Sequence, residues 1–321
     1  FHERVEVRRQ EITDKRMNKL ELYFHIPFCV RKCLYCDFLS APANHAVQDA
    51  YMEALIKETV CRAGEYREYL VDTIFIGGGT PSAVDAEWIG KLLSVVYRDF
   101  HVSDKAEITM EVNPGTVEAD RLKQYKKAGV NRLSIGLQSA DNEELKRIGR
   151  IHSWEDFERT YRLVRQAGFV NVNVDVMSAL PGQNVDSYRS TLQKILALNP
   201  QPEHISAYSL IVEEGTPFYR MQEEGKLLLP DEDEERLMYE QTERILAQAG
   251  YERYEISNYA KPGHASRHNL KYWSGGEYLG LGLGASSYLR TDCGLFAETS
   301  FPIENGESAR YVRLRETSDL K

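Results

Sequence analysis

Residues 20–36, LELYFHIPFCVRKCLYC, place three cysteines directly after a short strand pattern. Apolar and aromatic residues dominate LELYFHI at 20–26, which predicts a buried strand. Cys29, Cys33 and Cys36 then follow with the spacing C-x3-C-x2-C. A loop that leaves the end of a strand can bring three thiolates round one inorganic centre. The segment therefore predicts a metal site at the end of the first strand.

The residues that follow the cysteines bear on which metal is bound. A structural zinc site needs four protein ligands, and Asp37 and Phe38 follow Cys36 without supplying a fourth cysteine or histidine. A cubane [4Fe–4S] cluster held by three thiolates leaves one iron open to an outside ligand. We expect a [4Fe–4S] cluster of this kind at the three cysteines. Zinc completed by Cys61, Cys293 or a histidine, and thiols without metal, are the alternatives.

Strand and helix patterns alternate along most of the chain. Six apolar runs predict strands, at 20–26, 73–77, 107–112, 132–137, 172–177 and 204–210. Helical spacing of apolar residues predicts helices at 48–68, 85–99, 117–128, 154–167, 184–197 and 231–249. This alternation is typical of α/β proteins with a parallel sheet and right-handed crossovers. It fits a partial (β/α)6 TIM-like barrel, although an open doubly wound sheet shows the same pattern.

The composition excludes several classes of protein. The chain has 321 residues and a net charge of −9, with a pI near 5.5, so it lacks the basic surface that nucleic-acid binding requires. No apolar run is long enough to span a membrane. Five cysteines, three of them within eight residues, do not resemble the disulfide framework of a secreted domain. A cytoplasmic protein with reduced thiols is predicted.

Polar and glycine residues cluster where the predicted strands end. The run Gly77–Gly79 closes the second strand, and glycines let backbone N–H groups approach a ligand closely; a tight turn is the simpler interpretation. Glu111, Gln138, Arg150 and Asp175 lie in or after the third to fifth strands. Because the carboxyl ends of parallel strands meet at one rim, we expect these side chains to form a polar ring there.

The cysteine spacing, with Tyr35 before the third cysteine, resembles the signature of the radical S-adenosylmethionine (SAM) superfamily. The resemblance implies that Cys29, Cys33 and Cys36 hold a [4Fe–4S] cluster. It also implies that SAM chelates the open iron and is cleaved to a 5′-deoxyadenosyl radical. The superfamily has a six-unit partial barrel, in agreement with the strand pattern.

Further motifs narrow the resemblance to one subgroup. YFHIPFC, GGGTP, EVNPG, GLQS and LPGQ, at 23–29, 77–81, 111–115, 136–139 and 180–183, are similar in order to segments of oxygen-independent coproporphyrinogen III oxidase and its relatives. The chain departs from that pattern at Ser178 and Ala179, where tyrosine and glycine are usual. The resemblance implies SAM contacts at ten positions. These are Tyr23, Tyr35, Gly78, Gly79, Thr80, Glu111, Gln138, Arg150, Asp175 and Ser209.

Two features favour one branch of this subgroup. The oxidase has a fourth cysteine two places after the third, where this chain has Phe38. The segment HNLKYW at 268–273 is similar to a motif of the HemW-type heme chaperones. That resemblance implies heme binding near His268, Asn269, Tyr272 and Trp273. A packed loop with a hydrogen-bonded histidine is the alternative, because a neutral imidazole serves either role.

The expected function is that of a heme chaperone, an iron–sulfur protein that binds heme and passes it to an acceptor protein. An oxygen-independent coproporphyrinogen III oxidase, or another radical SAM enzyme, is the alternative, and no catalytic residue is assigned. An electron donor and a homodimer are further expected partners. The expected organisation is an N-terminal extension at 1–19, a barrel at 20–250 and an incomplete C-terminal heme-associated region at 251–321.

Overall fold

A computed structural model describes residues 17–290 and the backbone strand at 311–315. Six parallel strands form the centre of its sheet, in the order in which they occur along the chain. They are β1 (Asn18–Ile26), β2 (Tyr69–Gly78), β3 (His101–Val112), β4 (Arg132–Gln138), β5 (Val172–Ser178) and β6 (His204–Ser209). All six predicted strands are confirmed. Within the described residues β1 and β6 do not pair with each other, so the barrel is partial.

Nine α-helices occur in the described residues, most of them after a strand of the barrel. They are α1 (His45–Ala63), α2 (Ala86–Asp99), α3 (Ala119–Ala128), α4 (Asn142–Arg147), α5 (Trp154–Gln166), α6 (Val185–Leu196), α7 (Pro217–Glu223), α8 (Glu232–Gln248) and α9 (Arg267–Ser274). The six predicted helices correspond to α1, α2, α3, α5, α6 and α8, and are confirmed with bounds shifted by a few residues.

Successive side chains along each strand point alternately into the apolar core beneath the helices and into the inside of the barrel. On β1, Leu20, Leu22 and Phe24 are fully buried within the main apolar core, which the helices cover. Glu21 and Tyr23 point the other way, into the barrel, because successive residues of a strand face opposite sides. The inside of this barrel therefore contains polar groups that need hydrogen-bond partners.

The chain after residue 250 extends both edges of the same sheet. β7 (Glu252–Arg253) and β8 (Asn258–Ala260) follow β6, while β9 (Glu277–Leu281) pairs in parallel with β1. β10 (Ser286–Arg290) and β11 (Tyr311–Arg315) continue outward from β9. The strand order is β11-β10-β9-β1-β2-β3-β4-β5-β6-β8-β7. The sequence patterns predicted none of these added strands.

The division at residue 250 stays a prediction. So does the N-terminal extension, whose residues 1–16 lie outside the described residues. In the part of the chain that the structure describes, no helix combines the length and the apolarity needed to cross a membrane.

Candidate functional site

A cavity of 420 Å³ opens at the carboxyl ends of the barrel strands. The loop that follows β1 forms one side of it, and the ends of β2 to β6 form the floor and the other side. Cys29, Cys33 and Cys36 all line this cavity. The structure therefore places the three cysteines beside the polar residues at the strand ends, where the sequence analysis expects them.

The cysteine loop closes on itself near its two ends. The N–H of Cys29 donates to the carbonyl of Ala41 at 3.2 Å, and the N–H of Ala41 donates to the carbonyl of Pro27 at 3.0 Å. Within the loop, the N–H of Cys36 donates to the carbonyl of Cys33 at 3.3 Å. Backbone hydrogen bonds thus fix the path of the chain on which the three thiols are mounted.

A turn from the C-terminal part of the chain supports this loop from behind. A Cβ atom at Gly282 would lie 2.5 Å from the hydroxyl of Tyr51, and one at Gly284 would lie 2.7 Å from the side chain of Leu39. The Tyr51 hydroxyl also accepts from the N–H of Leu283 at 3.1 Å and donates to the carbonyl of His25 at 2.6 Å. Only glycine fits so close to the cysteine loop.

The environment of the thiols suits a cationic inorganic centre. The Thr80 hydroxyl donates to Cys29 Sγ at 3.5 Å, and Arg150 Nη1 donates to Cys33 Sγ at 3.7 Å. Burial, and less strongly the neighbouring Cys33 and Cys29, raises the pKa of the Cys36 thiol. Three thiolates that line one cavity repel one another unless a metal centre compensates their charge.

Zinc is the alternative that the sequence leaves open for these thiols. Among the described residues, no three His, Cys, Asp or Glu side chains form a group that could hold a single metal ion, whereas zinc needs four protein ligands about 2.0–2.3 Å from it. Cys61 is exposed on α1, and Cys293 lies outside the described residues.

Glycines bring backbone close to the cavity floor. Gly78 has a φ of +107°, and a Cβ atom there would lie 2.5 Å from the ring of His25. A Cβ atom at Gly79 would lie 2.7 Å from the carbonyl of Phe28. The glycine run is thus required for β2 to end against β1, and both Gly78 and Gly79 line the cavity.

Glu111 is a cavity acid whose carboxyl group is buried and hydrogen-bonded to backbone. The N–H of Gly78 donates to its Oε2 at 3.1 Å. Burial, with a smaller effect from the charge of Asp175, raises the pKa of Glu111 to about 8. Such a carboxyl group holds its proton at neutral pH unless a cation comes near. It is a ready partner for a positively charged ligand.

The end of β4 is distorted where it meets the cavity. The pairing of β4 with β5 shifts register between Gly136 and Gln138, and Gln138 has a φ of +73°. The Tyr208 hydroxyl donates to Gln138 Oε1 at 2.8 Å, while Arg150 Nη2 donates to the carbonyl of Gly136 at 2.8 Å. Strained backbone of this kind is typical of functional sites.

Nine of the ten predicted SAM-contact residues line the cavity. Tyr23 does not line it: its hydroxyl forms a hydrogen bond with His25 Nδ1 at 3.0 Å, and its ring stacks on Phe75. Asn113 and Tyr208 line the cavity as well. The sequence held a signal for both, since Asn113 lies in the EVNPG motif and Tyr208 points inward from β6 by alternation.

The HNLKYW segment forms helix α9 at the opposite end of the barrel. His268 is 1% exposed, and both ring nitrogens have partners: Nδ1 is 2.8 Å from the Thr73 hydroxyl and Nε2 is 2.9 Å from the Tyr272 hydroxyl. This geometry is that of a packed histidine with both ring nitrogens hydrogen-bonded, the alternative that the sequence analysis leaves open. Heme ligation by His268 stays a prediction. Trp273 is 62% exposed.

Buried carboxylates hold α9 in place. Glu107, on β3, accepts from the N–H groups of Arg267 and His268 at 3.1 and 3.2 Å. Lys271 forms ion pairs with Glu21 and Asp72 near the starts of β1 and β2. Burial raises the pKa of Glu21 to about 8. Charged groups beneath α9 are thus paired or protonated, as buried charges must be.

Comparison with known proteins gives matches over most of the chain. The family model described as the Radical SAM superfamily matches residues 23–195. The heme chaperone HemW of Escherichia coli strain K12 is 43% identical over 271 residues, which cover 84% of this chain and 70% of the relative. The heme chaperone HemW of Lactococcus lactis subsp. lactis strain IL1403 is 40% identical over 83% of this chain and 69% of the relative.

A solved structure matches the fold. The structure described as coproporphyrinogen III oxidase (HemN) from Escherichia coli, a radical SAM enzyme, aligns with a TM-score of 0.73 and 26% identity. The alignment covers 87% of this chain and 66% of that one.

Proposed function

The chain belongs to the radical SAM superfamily, among relatives that include the HemW heme chaperones, and from this premise we propose that it is an iron–sulfur protein that binds SAM and heme and transfers heme to an acceptor protein. In this proposal Cys29, Cys33 and Cys36 hold a [4Fe–4S] cluster. The observation that carries it is the single cavity into which these three thiols and the polar strand ends open together.

Residues of the cavity match the groups of SAM by charge. The cluster, when bound, supplies one electron and an iron with an open coordination position. The carboxyl group of Glu111, beside the N–H of Gly78, would accept hydrogen bonds from the ligand's amino group or ribose. Arg150 would donate to its carboxylate. Asp175, deeper in the cavity, would accept from the ribose hydroxyls.

The heme site is proposed at α9. Tyr272 and Trp273 expose apolar ring surface there, as a planar macrocycle requires. His268 would ligate the iron only after it leaves Thr73 or Tyr272, because both of its nitrogens have partners. Asn269 lies on the same helix, its N–H donating to Ser266 Oγ. Heme binding at this site therefore implies local opening of α9.

The cluster is tested by anaerobic reconstitution followed by iron analysis and electron paramagnetic resonance. We expect about four irons per chain, lost on Cys33→Ser. The matched control is Cys61→Ser, which changes an exposed thiol on α1 and should retain the iron. Equal iron in the two variants would contradict the assignment.

Heme binding is tested by titrating hemin into the purified protein and recording the Soret band. The expected result is a saturable red shift that His268→Ala alters. His264→Ala is the control, because His264 is a histidine of the same segment outside α9. A titration curve that His268→Ala leaves unchanged would place heme elsewhere, and no shift at all would count against the chaperone function.

Coproporphyrinogen oxidation is the second candidate function, favoured by the structural match to the HemN oxidase. Phe38 stands where that oxidase is expected to have a fourth cysteine. Anaerobic assay with a reductant and SAM distinguishes the two: we expect no protoporphyrinogen. The proposal also includes an acceptor protein, an electron donor, a homodimer and a cytoplasmic location. These four parts rest on family resemblance and composition.

A further inference from the structure

Hydrogen bonds continue from the SAM cavity down the inside of the barrel to helix α9. Asp175, which lines the cavity, accepts from Asn173 Nδ2 at 2.7 Å. Asn173 Oδ1 is 2.6 Å from His204 Nδ1, and His204 Nε2 is 2.7 Å from the Tyr254 hydroxyl. That hydroxyl accepts from the N–H of Ser266 at 3.2 Å, the N-cap residue of α9.

The chain of hydrogen bonds has one direction, and Asp175 determines it. Burial raises the pKa of the Asp175 carboxyl, whereas the hydrogen bonds donated by Asn173 and Ser134 lower it. In the ionised form that these donors favour, the carboxylate only accepts, so the amide of Asn173 turns its NH2 group towards Asp175. That NH2 group also donates to Ser134 Oγ at 2.7 Å, and Ser134 Oγ donates to Asp175 at 3.1 Å. The carbonyl oxygen of Asn173 is then left to face His204.

This orientation fixes the proton on the imidazole. His204 Nδ1 must carry hydrogen because it faces the carbonyl oxygen of Asn173. Burial holds the pKa of His204 well below its usual value, so the ring is neutral and Nε2 is an acceptor. The Tyr254 hydroxyl therefore donates to Nε2, and its oxygen remains free to accept from Ser266.

The central members of this hydrogen-bond chain are shielded from water. His204 and Ser266 are fully buried, and Asn173 is 2% exposed. A hydrogen bond in such surroundings is costly to break, because its groups find no replacement partner. These hydrogen bonds thus resist independent movement of Asp175 and Ser266.

We propose that Asn173, His204 and Tyr254 are positioning residues that orient the Asp175 carboxylate in the SAM cavity and couple that cavity to the start of helix α9. The coupling rests on the proposed function for the identity of the two ligands. By thermodynamic linkage, a ligand that restrains Asp175 also restrains the N-cap of α9, and the reverse holds.

The first test measures the imidazole of His204 in the wild-type protein. Ring-labelled histidine and long-range ¹H–¹⁵N correlation spectra report the tautomer directly. We expect a neutral ring with hydrogen on Nδ1. Hydrogen on Nε2, or on both nitrogens at neutral pH, would overturn the proposal without any variant being made.

The second test removes the Tyr254 hydroxyl from the hydrogen-bond chain. Tyr254→Phe keeps the ring and removes the donor to His204, and should shift the Nε2 resonance of His204. Tyr251→Phe is the matched control, since that buried hydroxyl donates to the carbonyl of Pro202 outside the chain.

SAM affinity, measured by calorimetry on reconstituted protein, should fall about three- to tenfold in Tyr254→Phe, the range expected for one net hydrogen bond. It should be unchanged in Tyr251→Phe. Equal SAM affinity of Tyr254→Phe and wild type would overturn the positioning role. A wild-type protein that binds no SAM would instead overturn the proposed function, so the two failures are distinguishable.

The third test measures the end of the hydrogen-bond chain that lies at helix α9. Hydrogen exchange at the first amides of α9, including those of Arg267 and His268, should slow when SAM is added to the wild-type protein. The slowing should disappear in Tyr254→Phe and persist in Tyr251→Phe. Equal slowing in all three proteins, or none in the wild type, would contradict the coupling.

Discussion

Ala179 adopts a left-handed backbone conformation, with a φ of +58°, immediately after β5. The left-handed region costs a residue with a Cβ atom roughly 1–2 kcal/mol relative to its usual conformations. This is the position at which the related oxidase sequences are expected to have glycine, and the turn keeps its geometry here without it. The strain lies beside Ser178, whose hydroxyl is 3.1 Å from that of Ser209, a cavity residue.

Replacing this alanine should therefore stabilise the protein. We expect Ala179→Gly to raise the free energy of unfolding by about 1 kcal/mol, measured by chemical denaturation. Ala167→Gly is the control, because Ala167 ends α5 with a φ of −70°; it should lower stability by about 0.5–1 kcal/mol. Equal effects of the two changes would mean that residue 179 is not strained.

Glu111 makes stability depend on pH. In the ligand-free folded protein burial raises the pKa of Glu111 from 4.5 to about 8. Between those values the folded state keeps a proton that the unfolded state releases, so stability falls as pH rises through this window. Glu111→Gln should reduce the slope by about 1.4 kcal/mol per pH unit. Unfolding measured from pH 5 to 8 tests this.

The control for that measurement is Glu68→Gln, which changes an exposed carboxylate. It should retain the wild-type slope. Glu21, whose pKa burial also raises to about 8, adds a similar dependence to every protein compared, so the difference between the two variants isolates Glu111. Identical slopes in Glu111→Gln and wild type would show that Glu111 is already ionised.

At the scale of single elements, α9 begins with a cap supplied from far away in the sequence. Glu107, on β3, accepts from the first N–H groups of the helix, where a negative charge also interacts favourably with the helix dipole. Loss of these hydrogen bonds should loosen this helix before any other part of the barrel.

We expect Glu107→Ala to cost about 1–3 kcal/mol and to speed hydrogen exchange in α9 selectively. Glu118→Ala is a matched control, because Glu118 is the N-cap of α3 but makes no capping hydrogen bond with its side chain. Its substitution should change stability by less than about 0.5 kcal/mol. Uniform exchange changes across the barrel in Glu107→Ala would contradict a local role.

The elements that sequence patterns predicted are those whose apolar residues repeat locally. β4 is a continuous buried run, β5 is buried except at Asp175, and α2 carries Ile89, Leu92 and Val96 on one face. Helix α9 escaped prediction because it is short and buries only one of its side chains, His268, and because part of its cap, Glu107, is distant in sequence. β9 escaped because glycines interrupt its pattern, and its pairing partner is β1 at the other end of the chain.

The cysteines and most of the cavity residues could be predicted because motifs mark both. The placement of Tyr23 below the cavity, and of His268 inside the barrel, could not be predicted. Each depends on a hydrogen-bond partner, His25 for one and Thr73 for the other, whose orientation only the folded barrel defines. Motif spacing carries no information about such pairs.

At the scale of the whole molecule, the C-terminal strands and the barrel share one sheet and one apolar core. Leu279, on β9, is fully buried within that core. Leu279→Ala should therefore lower stability by about 2–5 kcal/mol and shift a single cooperative transition, monitored by circular dichroism and by tryptophan fluorescence. Two separate transitions, with only one shifted, would instead support an independently folding region after residue 250.

The glycine turn behind the cysteine loop sets an order of events during synthesis. The three cysteines leave the ribosome long before Gly282 and Gly284, which complete the wall against Tyr51 and Leu39. Nascent chains fold from the N-terminus as they emerge, yet this part of the loop's support comes more than 240 residues later. We therefore expect iron to be bound after synthesis of the whole chain, and a ribosome-bound chain arrested before Gly282 should take up iron poorly.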